Sequence, residues 1–255
     1  MTSIHETAYP RFKPDLTQRE LDEIYTPNET EQRFARRLGR SNASRLYLMI
    51  LLKTVQRLGY FPMLAEVPAS IVSFVTKALG VNSVPLRMLV EEEKSRARRD
   101  FIDAIRAHLK IQPITKDTDK VIELAATQAA QTKQELADII NVVIEELIRQ
   151  RYELPAFSRL NRTAFRIRNL VNEQYFHTLT DPLPTAVTSQ FDAMLTLSAG
   201  QLVTGWQQIK QDPKKPTNTE VRQYLERVKW LKSWACELPQ VDHIPVVKRG
   251  QYVYE

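Results

Sequence analysis

Glycine and cysteine are both scarce in this chain of 255 residues, which has six glycines and one cysteine, Cys236. Glycine makes up about 2% of the chain, against about 7% in an average protein. Glycine-rich phosphate loops and β architectures with many tight turns both need more glycine than this. One cysteine permits neither an internal disulfide nor a multi-cysteine metal site, which favours a reducing compartment. The composition therefore indicates a helical, cytoplasmic protein.

Long apolar runs are also missing. The longest uninterrupted apolar stretch, Leu46 to Leu52, covers seven residues, whereas a membrane-spanning helix needs about 20. The first residues contain no basic segment followed by a long apolar stretch, as a secretory signal peptide would. We therefore predict a soluble, cytoplasmic protein with no membrane partner.

The sequence carries no signature of catalysis or metal binding. It has no glycine-rich phosphate loop, no nucleophile elbow and no paired-carboxylate motif. The four histidines are far apart, and none pairs with another histidine or with the cysteine at the spacing of metal ligands. They are His5, His108, His177 and His243. We therefore predict no catalytic residue, no metal ligand and no cofactor.

Three glycines each follow a leucine at nearly equal spacing, at Gly39, Gly59 and Gly80. A glycine just beyond the last apolar residue of a helix commonly adopts the left-handed conformation that ends it. The gaps of 20 and 21 residues suit helices of three to four turns with their connections. The residues between the glycines do not resemble one another, so the spacing indicates shared helix ends rather than a sequence repeat.

Residues that typically begin helices precede the first two of these segments. Asn28 or Thr30 can begin a helix that ends near Gly39, and Ser41 or Asn42 can begin the next one. That second helix is apolar on nearly every side, which predicts a central, buried position.

A longer helix is predicted from Pro85 through Leu109. Its acidic residues, Glu91 to Glu93, come early, and its arginines come later, an order that the helix dipole favours. These arginines are Arg96, Arg98, Arg99 and Arg106.

The polar segment after Pro113 predicts a boundary between two helical units. Residues 1–112 would form one or more N-terminal helical units, and residues 113–255 a second helical unit. In the second part, Thr132 and Glu135 resemble a capping box, and Ser158 can begin a helix through Phe176. Further helices are predicted over Thr185–Leu197 and Thr219–Glu237, and no strand pattern appears before the tail at Ile244. The predicted fold class is all-α, with at least two helix-turn-helix-like units joined by a longer helical segment.

Positive charge is unevenly distributed along the chain. The formal net charge is +6, and residues 1–112 carry +5 of it. Five arginines and no acid lie between Arg33 and Arg45, and six arginines and one acid lie between Arg149 and Arg168. Arginine can hold a phosphate or the acceptor edge of guanine with two parallel hydrogen bonds. The first cluster predicts DNA contacts at Arg33, Arg36, Arg37, Arg40, Ser41, Asn42 and Arg45.

The predicted helix over residues 158–176 has the pattern of a DNA-reading helix. Helical spacing places Leu160, Ala164, Ile167 and Val171 on one face, toward the core. On the opposite face lie Arg159, Arg162, Arg166 and Asn169, the arrangement that a major-groove helix requires. An ordinary amphipathic helix with a solvated basic face gives the same pattern, and Arg45 can equally be a structural ion-pair partner. Lys214 and Lys215, in a proline-bounded loop, are further candidates for phosphate contacts.

Two stretches of the chain together resemble a known family. The first runs from Leu16-Thr17-Gln18-Arg19-Glu20-Leu21 through Val67-Pro68-Ala69-Ser70-Ile71-Val72 to Ile111. The second is Leu147 to Leu160 and contains Leu154-Pro155-Ala156-Phe157-Ser158, followed by Arg162 and Arg166. In this order and spacing they resemble the N-terminal region of the large replicative transposases of the Tn-three family. Two departures are Tyr47-Leu48, where family members commonly have Gly-Phe, and Lys110, where a glycine is usual.

The resemblance implies a helical DNA-binding region that holds the terminal inverted repeats of a transposon, a double-stranded DNA partner, and self-association within a dimeric transposase. Catalysis in the family depends on an Asp-Asp-Glu metal site much further along the polypeptide. We therefore predict that this chain alone is not an enzyme. The alternative is a helical protein-interaction scaffold for transposase assembly, with exposed aromatic residues such as Trp206, Trp230 and Trp234 as contacts.

Overall fold

The computed structural model describes residues 2–81, 84–197, 202–210 and 217–234, together with 242, 244–246 and 248. Over these residues the regular structure is helical and no strand forms, which confirms the predicted all-α class. Two short 3₁₀ turns occur at Ile4–Glu6 and Leu64–Glu66. The α-helices are α1 (Gln18–Tyr25), α2 (Glu29–Leu38), α3 (Asn42–Leu58), α4 (Ala69–Ala78), α5 (Leu86–Lys94), α6 (Ala97–Leu109), α7 (Lys116–Thr132), α8 (Leu136–Arg149), α9 (Phe157–Thr180), α10 (Thr185–Leu195), α11 (Gly205–Ile209) and α12 (Asn218–Trp234).

Contacts between residues divide the chain into two compact units, Met1–Arg168 and Asn169–Glu255. The predicted boundary after residue 112 lies inside the first unit, where backbone hydrogen bonds join it to the start of the α8–α9 connection. Gln112 N–H donates to the Arg151 carbonyl at 2.8 Å, and Glu153 N–H donates to the Gln112 carbonyl at 2.9 Å. A division of function at residue 112 stays a prediction.

Helix α3 is the centre of the first unit. Its residues from Ala43 to Val55 are almost all buried, except for the half-buried Arg45. Helices α1, α2, α4, α5 and α6 all pack against it. Ser41 begins the helix, because its Oγ accepts a hydrogen bond from Ser44 N–H at 3.0 Å. The apolar pattern thus predicted the central position correctly.

The predicted left-handed helix ends are present at two glycines and absent at the third. Gly59 and Gly80 have φ of 74° and 62°. Gly39 instead has φ of −83°, so the prediction of a left-handed end was wrong there. Its lack of a side chain serves close packing, since a Cβ at Gly39 would lie 2.6 Å from Arg45 Cγ. Lys110 adopts the left-handed conformation in place of a glycine, with φ of 55°.

The predicted long helix over Pro85–Leu109 is interrupted at Ser95, which separates α5 from α6. The Ser95 side chain bonds locally to the backbone, because Oγ donates to the Glu92 carbonyl at 2.7 Å and accepts from Ala97 N–H at 3.2 Å. Serine in this role competes with helix continuation. On one continuous helix Leu89 and Phe101 would point about 120° apart, whereas the break lets both join the core around α3.

Helices α7 and α8 pack as an antiparallel pair along the alanine face of α7. The predicted capping box at Thr132 and Glu135 was wrong. Thr132 is the last residue of α7, and its hydroxyl donates back to the Ala129 carbonyl at 3.4 Å. Glu135 precedes α8 and makes no side-chain capping hydrogen bond. Because the hydroxyl is used within α7, the first turn of α8 has no side-chain cap.

The second unit contains α10, α11 and α12, and α10 packs against α11. The predicted helix over Thr185–Leu197 corresponds to α10, and the one over Thr219–Glu237 corresponds to α12, with residues 235–237 outside the described part of the chain. Cys236, Lys214 and Lys215 lie outside the described residues, as does most of the tail after Ile244.

Candidate nucleic-acid interface

Helices α2 and α3 are joined by a turn of three residues, Gly39 to Ser41. Helix α2 begins at an Asn28 capping box, in which Asn28 Oδ1 accepts from Glu31 N–H at 2.9 Å and Glu31 Oε2 accepts from Asn28 N–H at 2.9 Å. Phe34 and Ala35 are buried. The opposite side of α2 is therefore left to solvent, and the predicted arginines lie there.

The three arginines on α2 are all exposed but differ in their contacts. Arg33 forms an ion pair with Glu29 at 2.9 Å. Arg36 bonds to the amide of Gln32 at 3.5 Å. The Arg37 guanidinium lies 5.8 Å from the centre of the Phe34 ring. Among the described residues, no ion pair involves Arg36 or Arg37.

The turn adds a further cation at the beginning of α3. Arg40 is exposed, and no ion pair involves it in the part of the chain that the structure describes. Ser41 and Asn42 are exposed beside it. Arg45 is half-buried, and its Nε donates to the Gly39 carbonyl at 3.0 Å, which holds the turn closed. The N-terminus of a helix attracts anions, so a phosphate beside Arg40 would be favoured at this turn.

Helix α3 cannot itself enter a DNA groove, because it is buried along most of its length. Of these two helices and the turn between them, the turn and the outer face of α2 are the exposed parts. The exposed positive charge of the first cluster therefore lies on α2 and in the turn rather than on α3.

Helix α9 has the amphipathic face that its sequence predicts. Leu160, Ala164 and Ile167 are buried, with 1%, 1% and 7% exposure. Arg162 is exposed on the other side, and its Nε donates to the Ser158 carbonyl within the same helix at 3.3 Å. Asn169 is half-buried and begins the second unit.

Two of the predicted α9 residues are already paired with acids of α7. Arg159 forms an ion pair with Asp119, and Arg166 forms one with Glu123. All four side chains are about half exposed. Pairs in this setting contribute little to stability, but the acids reduce the positive potential beside Arg162. Sequence reasoning missed these partners because they lie about 40 residues away along the chain.

A third concentration of positive charge lies at the α5–α6 junction, where cations line a cleft. The signal was present in the sequence as the run from Lys94 to Arg99. From the sequence alone, this run indicates only a favourable charge order within one helix. The break at Ser95, which the sequence did not predict, changes the arrangement of these side chains.

Other features of the described residues bear on the class of site. Among them, no group of three or more His, Cys, Asp or Glu side chains is placed to hold a metal ion. None of the described helices is long and apolar enough to cross a bilayer. His108 stacks on Phe34 with ring centres 4.4 Å apart, which agrees with a structural role.

Fold and surface charge together define a helical protein with arginine clusters at helix ends and on helix faces. The chain belongs to the family described as Domain of unknown function (DUF4158), whose model matches residues 1–167. That match ends one residue before the end of the first compact unit.

Curated relatives of the chain are transposases. It is 25% identical over 235 residues to the transposase for transposon Tn501 of Pseudomonas aeruginosa, covering 92% of this chain and 23% of the relative. It is 26% identical over 226 residues to the transposase for transposon Tn3926 of Escherichia coli, covering 86% and 22%. It is 19% identical over 210 residues to the transposase for transposon Tn1546 of Enterococcus faecium, covering 80% and 21%. The predicted resemblance to an N-terminal region of Tn-three family transposases is confirmed, and the chain spans less than a quarter of the length of these relatives.

Proposed function

We propose that this chain is a DNA-binding module of a transposase and that it recognises the terminal inverted repeats of its transposon. The observation that carries the proposal is the surface around the α2–α3 turn. No Asp or Glu occurs from residue 32 to residue 65, and three exposed arginines, Arg36, Arg37 and Arg40, lie within six residues of the beginning of α3 in the chain. Similarity to transposases supports DNA as the partner of this surface.

In this proposal the α2–α3 turn holds the DNA backbone. Arg36, Arg37 and Arg40 contact phosphates, with Ser41 and Asn42 as hydrogen-bonding neighbours at the helix N-terminus. Arg33 contributes after it exchanges its exposed partner Glu29 for a phosphate. Arg45 contributes indirectly, because its hydrogen bond to the Gly39 carbonyl holds the turn closed. Backbone contacts of this kind fix position and supply affinity but carry no sequence information.

Sequence recognition is assigned to the outer face of α9. Arg162 is exposed and can form the paired hydrogen bonds that identify guanine, with Asn169 two turns further along. Arg159 and Arg166 are held by Asp119 and Glu123, and we propose that they turn to the DNA when it approaches. Lys214 and Lys215 remain candidates for phosphate contacts.

Strand transfer is assigned to residues outside this chain. The relatives are named as transposases, and the chain spans 23% and 22% of the length of two of them. We propose that the acidic metal site of the family lies in the remaining part, and that the module binds DNA without cofactors in the cytoplasm, next to the chromosome.

The experiment is a comparison of two duplexes. Affinity is measured by fluorescence anisotropy for the terminal inverted repeat of the element that encodes this chain and for a scrambled duplex of the same composition, over a range of salt. The expected result is tighter binding to the repeat, with both affinities falling as salt rises because phosphate contacts release counterions. Equal affinity for the two duplexes would contradict recognition of the repeat.

A second candidate function is a scaffold for assembling transposase subunits. It is favoured by α12, where Val221, Leu225, Val228 and Leu231 follow one helical face and are 40–49% exposed. Trp230 of the same helix is 38% exposed. Size-exclusion chromatography with light scattering, with and without DNA, separates the two functions. A stable dimer that shifts no DNA would favour the scaffold.

A further inference from the structure

The α5–α6 junction forms an open cleft of about 650 Å³ on the first unit, and its lining is strongly basic. Of its seven lining residues none is acidic, and five are cations: Lys94, Arg96, Arg98, Arg99 and Arg106. The cleft lies apart in sequence from both arginine clusters discussed above. The break at Ser95 forms it, because the chain leaves α5 and re-enters helix within three residues.

Two of the five cations are fixed in the wall of the cleft. Arg98 donates to the Tyr47 hydroxyl at 2.5 Å and forms an ion pair with Glu93 at 3.3 Å. Arg106 forms ion pairs with Glu153 at 2.7 Å and with Asp103 at 2.9 Å. These contacts join α6 to α3, to α5 and to the chain before α9. The two arginines therefore have a structural role that the fold accounts for.

The other three cations have no such role. Lys94, Arg96 and Arg99 are exposed, and among the described residues no ion pair involves any of them. Arg96 and Arg99 are three residues apart at the beginning of α6, a spacing at which like charges disfavour a helix. An acidic residue at either position would suit this end of α6 better, because the helix dipole favours negative charge there. Folding alone therefore does not explain three cations at this point.

We propose that the cleft binds phosphate groups and that the backbone of duplex DNA supplies them. Arginine and lysine side chains that converge on a concave surface suit phosphate oxygens, and the guanidinium of Arg96 or Arg99 can bond to two oxygens at once. Contacts to the DNA backbone carry no sequence information, so the contribution of the cleft is independent of sequence. The inference rests on the proposed function in one respect, that DNA is the source of the phosphate.

The test is a triple variant of the full chain, Lys94→Gln/Arg96→Gln/Arg99→Gln. Its control is Arg19→Gln/Lys120→Gln/Arg149→Gln, which removes the same charge at exposed residues that already pair with Glu23, Asp117 and Glu146. Circular dichroism first establishes that both variants are folded. Affinities for the repeat and scrambled duplexes are then measured over about 50 to 200 mM salt, a range in which phosphate contacts dominate the change.

The expected result is an equal weakening on both duplexes, about tenfold or more at low salt, with the ratio between them unchanged. The slope of log affinity against log salt should become smaller by about two to three, because each lost phosphate contact accounts for about 0.9. The control should change affinity much less. Unchanged affinity in the cleft variant, or an equal loss in the control, would overturn the inference.

A second arm uses pyrophosphate alone, titrated into the wild type and the cleft variant by calorimetry. Binding to the wild type that the variant loses supports a phosphate cleft. If pyrophosphate binds there while the cleft variant keeps its full DNA affinity, the DNA backbone is the wrong source and a small phosphate ligand replaces it. Failure of the proposed function has a different appearance: the wild type would bind both duplexes equally, or neither.

Discussion

Arg166 of α9 is paired with Glu123 of α7, and one turn back on α7 Asp119 holds Arg159 in the same way. Two of the three arginines that the sequence places on one DNA-reading face are therefore neutralised in the free protein. Arg162, between them, keeps its charge. The acids of α7 thus lower the positive potential of this face of α9 in the free protein.

Removing the two acids should strengthen DNA binding. In Asp119→Asn/Glu123→Gln the arginines are free to contact phosphates or bases, and two negative charges near the duplex disappear. We expect severalfold tighter binding at low salt, while the free energy of unfolding changes by less than about 1 kcal/mol because the pairs are half exposed.

The matched control is Asp138→Asn/Glu145→Gln, which neutralises two exposed acids of α8. Anisotropy titrations of both variants against the repeat duplex provide the comparison. If the control tightens binding as much as the α7 variant does, the gain comes from the changed net charge of the protein, and the assignment of α9 is wrong.

Helix α2 is anchored to α3 by a buried ion pair between Lys53 Nζ and Glu31 Oε2, 3.3 Å apart. Both side chains are less than a tenth exposed, and Gln56 Nε2 also donates to Glu31 at 2.8 Å. Glu31→Gln leaves the Lys53 charge buried without a partner, which should lower the free energy of unfolding by about 3 to 5 kcal/mol. Urea denaturation measures it. The double variant Glu31→Gln/Lys53→Met should regain most of the lost free energy of unfolding. If Glu31→Gln alone lies within about 1 kcal/mol of the wild type, as expected for an exposed ion pair, the buried pair does not have this role.

The turn at Gly39 should not tolerate a side chain. In Gly39→Ala the new Cβ would lie within 2.9 Å of the Arg45 backbone nitrogen and Cα, so the beginning of α3 must move. We expect a loss of about 1 to 3 kcal/mol together with weaker DNA binding. Gly80→Ala is the control, because its Cβ would meet nothing within 4 Å and only the left-handed backbone costs about 1 to 2 kcal/mol. If Gly39→Ala binds DNA as tightly as Gly80→Ala does, the turn at Gly39 is not part of the DNA-binding surface.

Stability should fall at alkaline pH through four tyrosines, of which three are buried and Tyr60 is half-buried. Burial raises the pKa of Tyr9, Tyr25, Tyr47 and Tyr60 above the ordinary value of 10.0. Because the folded pKa exceeds the unfolded one, their contribution is complete below pH 10 and is lost as pH rises through the folded values. Urea denaturation at pH 8, 10 and 11 and tyrosinate absorbance measure this. Ionisation of all nine tyrosines near pH 10 in the folded protein would refute the prediction.

Local signals in the sequence predicted local structure well. The caps at Asn28 and Ser41 depend on residues three positions away, and the buried stripe of α9 depends on spacing within one helix. The break at Ser95 was not predicted, because the surrounding glutamates and arginines favour a helix and only packing against α3 shows that a straight one does not fit.

The candidate site was less predictable than the fold. Sequence spacing placed Arg159, Arg162 and Arg166 on one face, as the structure does, but could not show that acids from α7 hold two of them. Their partners are distant in the chain and meet only after α7 and α9 pack. For the same reason a run of cations at the α5–α6 junction was interpreted as part of a helix rather than as the lining of a cleft.

The central claim is that the α2–α3 turn holds DNA. Its most direct test is the affinity of Arg36→Gln/Arg37→Gln/Arg40→Gln for the repeat duplex, compared with that of Arg19→Gln/Lys120→Gln/Arg149→Gln, in the full chain at low salt. We predict a loss of about tenfold or more for the turn variant, with a smaller salt slope, and little change for the control. Wild-type affinity in a folded turn variant would contradict the account.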